Sequence, residues 1–563
     1  MRYAARFLAT LFCSLLIFTT CFAPVARGEE DPSVAVVSIS SYDQLMQHAS
    51  VVGEIVGFPN AQQMMELQLM QLTGGKPLAG LDKTKPIVID VKLGKAQPYA
   101  IACLPVTDLK ALLDSLPPQL SDNEDVGDGV LLMKAAEGPL YAKQGQGWTY
   151  FADQKEHLAK APEDPPALAG DLPELYVFAT RVNVQNVPAD KRAELIGFLE
   201  LMNQLQLAGV AEAGGDIETQ QELMKQNIAQ LSKLINETED VVIGLGIDRD
   251  NKNVHVDFST TAQADSDTAT SYKRFQAGKS SHAGFLHADA TIAMAAHLSG
   301  KPPANEIEVM DEQQKMFQGE MMQEIDDDDE LSSEQKETVK EAMAKILNAL
   351  FDTARSDSLQ LGFAAMLNKN STLVGGMNIS DGDTVEGAIK QLVGVISSMV
   401  EIPGPDWEAE NHGFYRIHTW KNIPITEEDE AAAITKMIGD QLEFAVAVNA
   451  ESIYMSMGGN AVEDLKKVID ASAKASNEVS KPLEAVVNMG PIMKFAAEAD
   501  PQSGAMLLPV VGMLEEKDAI VYDIDQIPNG IRGRITVQQN VLRSLPLMSM
   551  MMGAAGGGAP NLQ

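Results

Sequence analysis

Apolar and polar positions recur along the chain as one pattern: two short runs with period two, a polar turn between them, then a stretch with the 3.6-residue period of an amphipathic helix. In "KPIVIDVKLGKAQPYAIACLPVTDLKALLDSL", Ile87, Ile89 and Val91 alternate with Val88, Asp90 and Lys92. This predicts a β-hairpin and then a helix through Leu116, capped by Thr107 or Asp108. "DVVIGLGIDRDNKNVHVDFSTTAQADSDTATSYKRF" repeats the pattern with its turn at Asp250, Asn251, Lys252 and Asn253. "SLQLGFAAMLNKNSTLVGGMNISDGDTVEGAIKQLVGVI" is a third instance. "DAIVYDIDQIPNGIRGRITVQQNVLRSL", turning at Pro528, Asn529 and Gly530, is a fourth.

The first and third instances lie about 270 positions apart and the second and fourth about 280, a period of half the chain. Other segments agree with it. "AVVSISSYDQLMQHASVVG" matches "GFLHADATIAMAAHLSG", and "PLYAKQGQGWTYFADQKEHLAKA" matches "EFAVAVNAESIYMSMGGNAVEDLKKVIDA". The expectation is an α+β fold built by tandem duplication, with β-hairpin and helix units forming antiparallel sheets covered by amphipathic helices. Its first half spans residues 29–280 and its second 281–545.

The N-terminal residues change the picture of where the chain works. Arg2 and Arg6 precede an apolar run from Phe7 to Ala23, and Ala26 and Gly28 fit the small positions of a cleavage site before Glu29. Residues 1–28 are expected to be a cleaved secretory signal. The run is shorter than the roughly 20 residues of a spanning helix, so no stable membrane span is expected after cleavage. Thr19 and Thr20 before Cys21 do not suit a lipid-attachment site. The expected location is the periplasm, the cell envelope or the outside of the cell.

Cleavage removes Cys13 and Cys21 and leaves Cys103, which has no partner for an internal disulfide and reads as a small buried apolar residue. The formal net charge is −36. Losing Arg2, Arg6 and Arg27 makes the mature chain more acidic still, which excludes nucleic acid as an expected partner and disfavours anionic lipid headgroups.

One stretch gathers polar groups: "RVNVQNVPADKRAEL", Arg181 to Leu195. On the strand leading into it, Tyr176, Phe178, Val182 and Val184 point one way and Val177, Ala179, Arg181, Asn183 and Gln185 the other. Pro188 then opens a helix with Leu195, Leu199 and Met202 on one face. The second-half counterpart, "EAVVNMGPIMKFAAEA", keeps Asn488 and Pro491 but has no arginine or glutamine. Asn183 or Asn186 is therefore expected to bond the turn rather than a ligand. A strand with "RVNVQNVP" after "LPEL", downstream of "GWTYFADQKEHL", resembles large secreted proteins of planctomycete-type bacteria. The resemblance covers mainly the first half, implies no activity and assigns no functional residue.

Residues 301–333 are acidic and Met-rich and predict a flexible arm or a solvated helix; residues 546–563 predict a flexible tail. In Asp326 to Glu330 the aspartates are consecutive and no glycine follows before the next helix, unlike a calcium loop. The run reads as a solvated lead-in to a helix that Ser332 or Ser333 caps and whose stripe is Val339, Met343, Ile346, Leu347 and Leu350. In "QQMMELQLMQL", Met65, Leu69 and Leu72 share a face, so core filling is expected over a copper- or peptide-binding surface. "LPLMSMMMG" at Leu545, beside the tail, keeps both readings.

His282, His287 and His297 share a stretch with Asp289, but no histidine pair has the spacing of two ligands on one helical turn. Nucleotide-binding glycine loops and the serine-nucleophile elbow are missing from the sequence. No catalytic, cofactor-binding or metal residue is assigned, and no cofactor is expected. The expected role is a noncatalytic envelope or periplasmic binding or scaffold protein that takes a protein partner or an apolar ligand. The alternatives are a carrier holding an apolar ligand between sheet and helices, and a hydrolase with an unrecognised site.

Overall fold

A computed structural model describes residues 31–73, 75–76, 78–94, 97–115, 123–135, 138–212, 217–286, 290–399, 404–423, 442–499 and 501–555. The expected signal, His287, Asp289 and residues 556–563 lie outside them. The chain divides into two compact units at Gln263/Ala264 rather than at residue 280. The intervening residues join the second unit because Gly278–Lys279 pair with Val479–Ser480.

The strands of the first unit are β1 (Ser33–Ile39), β2 (Ile87–Leu93), β3 (Pro98–Leu104), β4 (Asn123–Asp125), β5 (Val130–Ala135), β6 (Gly138–Gln144), β7 (Thr149–Ala152), β8 (Phe178–Asn183), β9 (Thr238–Asp248) and β10 (Asn253–Ala262). They pair antiparallel in the order β4-β5-β6-β7-β3-β2-β1-β8-β9-β10.

The second unit contains β11 (Ile292–Ser299), β12 (Ser358–Met366), β13 (Thr372–Asn378), β14 (Asp406–His412), β15 (Tyr415–Ile423), β16 (Leu442–Val448), β17 (Ser452–Gly458), β18 (Leu483–Asn488), β19 (Ala519–Ile527) and β20 (Gly530–Val537). Their order is β14-β15-β16-β17-β13-β12-β11-β18-β19-β20, again all antiparallel. Each strand number is that of its first-unit counterpart plus ten, so the two units share one strand order.

Their connections also correspond. Helical hairpins join the first and second strands of each unit: α1 (Tyr42–Ile55) with α2 (Ala61–Leu72), and α6 (Ala304–Asp327) with α7 (Ser333–Ala354). Single helices, α3 (Leu109–Ser115) and α8 (Gly382–Met399), follow the third strands. Hairpins α4 (Ala189–Glu212) with α5 (Ile217–Glu237), and α10 (Met489–Ala499) with α11 (Pro501–Val511), join the eighth and ninth. After the seventh strand the units differ: the first has short helical segments, Lys155–Lys160, Pro165–Ala169 and Leu172–Leu175, whereas the second has the longer α9 (Ala461–Ala475).

Local chemistry sets several boundaries. Ser41 and Gln44 close a capping box on α1, and Ser332 and Gln335 close one on α7, so each satisfies helix-end donors that would otherwise lack partners. Lys252 and Asn529 take left-handed backbone at the tips of the second and fourth hairpins, where the chain must reverse within a few residues.

Register fixes which residues correspond. Asn183 and Asn488 end the eighth strands, and each side-chain amide donates to a main-chain carbonyl at the start of, or just before, the first strand of its unit: Asn183 to Ser33 at 3.4 Å and Asn488 to Ala290, two residues ahead of β11, at 2.7 Å. From that anchor one row crosses the first sheet as Phe258, Ile243, Thr180, Val37, Ile89, Ala102, Phe151, Ala142 and Leu131. The matching row of the second is Ile535, Tyr522, Ala485, Met294, Phe363, Gly375, Met455, Val446 and His418.

Three expectations on the helices change. Of the two readings of residues 301–333, the largely solvated helix holds and the free arm does not: α6 is held to α7 by Gln314 and Gln318, which donate to Asn348 Oδ1 at 2.7 and 3.0 Å, and by Arg355 on Asp311 at 2.7 Å. "LPLMSMMMG" belongs to α12 (Gln539–Ala555), so the expected tail from residue 546 begins as helix. On α2, Met65 is exposed, as are Met64, Leu67 and Met70, rather than filling a core, while Leu69 is half-buried and the Leu72 side chain lies outside what is described. Apolar residues occupy more of that helix's circumference than α1 can cover.

Candidate functional site

Among the described residues, α7 and α8 in the second unit and α3 in the first pack on one end of the face carrying the matched rows. In the second unit α7 and α8 bury Trp420, Val446, Val448 and Ile453 beneath Ala349, Val385 and Ile389. Beyond that cover the face stays apolar and open. Leu373, Met455 and Met457 are 41–47% exposed, and Tyr522 and Ile535 are 37–38% exposed. In the first unit α3 covers the matching end with Leu109, Leu112 and Leu113. Val37, Ile89 and Ala102 close the centre, while Ile243 and Phe258, the counterparts of Tyr522 and Ile535, are 47–48% exposed. Scattered surface apolar residues need no explanation; the same exposed row at one register in two units is a feature of the fold.

The opposite face of the second sheet is sealed by α9 and the turn Ala283–Leu286 around Phe285, Tyr454, Leu465 and Val468. His282 lies there, stacked on Tyr454 at 5.1 Å and fully buried. Burial pushes its pKa down to about 4, against smaller raising effects from Gln360 and the Met377 backbone. Its Nδ1 is 3.0 Å from Ser281 Oγ, but that hydroxyl donates to Gln360 Oε1 at 2.9 Å. The contact is therefore not a nucleophile handing its proton to a base. His297, also buried, meets the Gln276 carbonyl at 3.0 Å.

A second polar cluster sits under the helix-covered end of the open face. Glu386 of α8 accepts from Arg416 Nε at 2.8 Å, pairs with Lys390 at 2.7 Å, and lies 3.2 Å from His418 Nε2. The Glu408 N–H donates to His418 Nδ1 at 3.0 Å from a bulged position with left-handed backbone. Trp407 meets the His418 ring edge-on at 5.1 Å. Burial raises the Glu386 pKa, but hydrogen bonds from Lys390 and Arg416 outweigh that and hold it below its usual range. For His418 burial dominates and lowers the pKa, partly offset by Glu386. Each charged group has a partner, and the first unit places Leu131 where His418 stands, so the shared topology does not require the network.

The polar stretch from Arg181 is spent on the backbone. Arg181 donates to the Leu168 carbonyl, Gln185 to that of Asn236 at 2.9 Å, and Asn186 to that of Ser33 at 2.7 Å. Arg192 holds the Gln185 oxygen at 2.8 Å. Cys103 is fully buried, and burial, then Asp90, push its thiol up to about 12. Between α1 and α2 lies a cleft of about 510 Å³. Two of its lysines are engaged, Lys76 on the Asp114 carbonyl at 2.6 Å and Lys83 over the Tyr42 ring at 4.7 Å.

Among the described residues no three His, Cys, Asp or Glu side chains converge as metal ligands would. Asp326 and Asp327 close α6 instead of leading freely into α7, and Lys340 pairs with Asp326. Calcium titration by calorimetry at physiological ionic strength should give no saturable heat; a tight site lost in D327N/D329N would overturn that reading. Comparison with family models, with curated proteins and with solved structures finds no match to this chain.

Proposed function

We propose that the chain is an exported, noncatalytic binding protein of the cell envelope that holds an apolar partner on the open sheet face. The observation carrying this reading is the exposed apolar row at one register in both units, ending in Ile243 and Phe258 in the first and Tyr522 and Ile535 in the second. Leaving such a row in water sacrifices about 25 cal/mol per Å² that burial would return, so a partner covering it gains that free energy. Export is supported by the charged, apolar and small-residue segments before Glu29. No helix among the described residues is long and apolar enough to cross a membrane. The common strand order supports descent of both units from one duplicated ancestor.

A scaffold docking a protein and a carrier docking a small apolar molecule both use such a face. Native mass spectrometry of protein purified from its own host separates them. The expected spectrum shows a chain beginning near Glu29 that carries either a bound apolar molecule or a partner chain. Bare protein that also fails to bind an uncharged fluorescent naphthylamine probe saturably would overturn the reading.

A further inference from the structure

We infer that the open face of the second unit takes a single hydrocarbon chain, seated over Gly375. This rests on the binding role proposed above and names its ligand class.

Gly375 lies at the middle of the exposed row, with Phe363 opposite on β12 and Met455 opposite on β17. No atom lies within 4 Å of where a Cβ on Gly375 would stand, and its backbone is outside the left-handed region. The residue is therefore not a glycine for conformational reasons. Its missing side chain leaves a slot in the apolar surface. Across the strands the slot is bounded by Phe363 and Met455, two strand spacings or about 10 Å apart. Along β13 it is bounded by Leu373 and Met377. At its closed end stand Val446 and Ile453 beneath α7 and α8; at the other the face runs open to Tyr522 and Ile535.

The chemistry of the lining selects the occupant. Leu361, Phe363, Leu373, Met377, Met455 and Met457 present no polar group, and methionine adapts its shape to a flexible chain. An extended peptide would need partners for its amides. β13 is already paired on both sides, by β12 and β17, so those amides would be buried unpaired at a cost of about 1–3 kcal/mol each. A helix satisfies its own backbone but is about 10–12 Å across and would ride on the rims without entering the slot. A second copy brings another net charge of −36 to the contact. A hydrocarbon chain meets none of these objections.

The test titrates full-length protein with cis-parinaric acid and with its uncharged methyl ester, following polyene fluorescence. Saturable binding of the ester is expected. G375L should weaken it at least tenfold by filling the slot, and M455E should do the same by placing a charge beside it. M64E/L67E, exposed on α2 and in neither row, should leave it unchanged. Circular dichroism of each variant shows whether it is folded; should G375L not fold, M455E carries the test. Folded variants that bind the ester as the unaltered protein does would overturn the inference. So would an unaltered protein that ignores the ester but captures an amphipathic helical peptide, a result that leaves the binding role standing. Binding neither probe overturns both.

Discussion

Replacing Glu386 with alanine should destabilise the second unit by about 3 kcal/mol, the low end for breaking a buried ion pair because Arg416 and Lys390 reach solvent. The loss arises because Glu386 is the shared acceptor for Arg416 and Lys390, with His418 buried 3.2 Å from its carboxylate. Removing it leaves Arg416 with Asp383 and Lys390 with Glu408, both at the solvent edge, and opens a gap beside the buried His418. The first unit indicates the repair, since Leu131 fills the position of His418 within an apolar cluster. E386L/R416M/H418L, which removes the guanidinium with the acid and leaves Lys390 to Glu408, should therefore recover most of the stability lost in E386A, as expected when a buried ionic network is replaced by packed hydrocarbon. Trp407 and Trp420 flank the site and Trp148 is the protein's other tryptophan, so urea unfolding followed by tryptophan fluorescence weights the second unit. A loss below about 1 kcal/mol in E386A would show that the network contributes no more than a surface salt bridge.

How far such features can be read from the chain depends on how local they are. The four hairpins were readable because a strand paired with its sequence neighbour declares itself through period-two alternation and a turn. The rest of the strand order was not. β1 lies between β2 and β8, and β11 between β12 and β18, pairings made across more than a hundred residues in β1–β8 and in β11–β18. β4 and β14 escaped notice because Asn123–Asp125 and Asp406–His412 are polar edge segments with no apolar alternation.

The candidate site shows the same limit. On β17, Tyr454 faces the sealed core while Met455 and Met457 face the open side, and alternation alone does not say which side is covered. The row from Met455 through Gly375 to Tyr522 joins separate segments, so only the register reveals it. Glu386 and His418 come from a helix and a strand with no motif between them. For the asparagines at the strand-to-helix turns, the residue type was legible and the partner was not. Asn183, Asn186 and Asn488 do bond backbone, but the acceptors are the distant carbonyls of Ser33 and Ala290 rather than the turn that the comparison of the two halves pointed to.

Acid should loosen the second unit before its ion pairs titrate, and His282 is the main reason. Its folded pKa of about 4 lies below the ordinary histidine value of 6.5. The unfolded chain therefore binds a proton that the folded chain refuses between those values. The stability owed to the neutral ring is complete above about pH 6.5 and falls as pH drops towards about 4. Between about pH 7 and pH 5 the loss is on the order of 2 kcal/mol. Burial also lowers His297 and His418, so both act in the same direction. Glu484 opposes them, because burial raises its pKa and its protonation relieves the folded state. Isolating His282 therefore requires a difference between two proteins rather than one pH profile. H282Q removes the titrating ring and should unfold more easily at neutral pH through lost stacking on Tyr454 and Phe285. Its stability should nevertheless fall less than that of the unaltered protein between pH 7 and pH 5, by on the order of 2 kcal/mol in urea unfolding. Parallel pH profiles for the two proteins would place the acid sensitivity elsewhere.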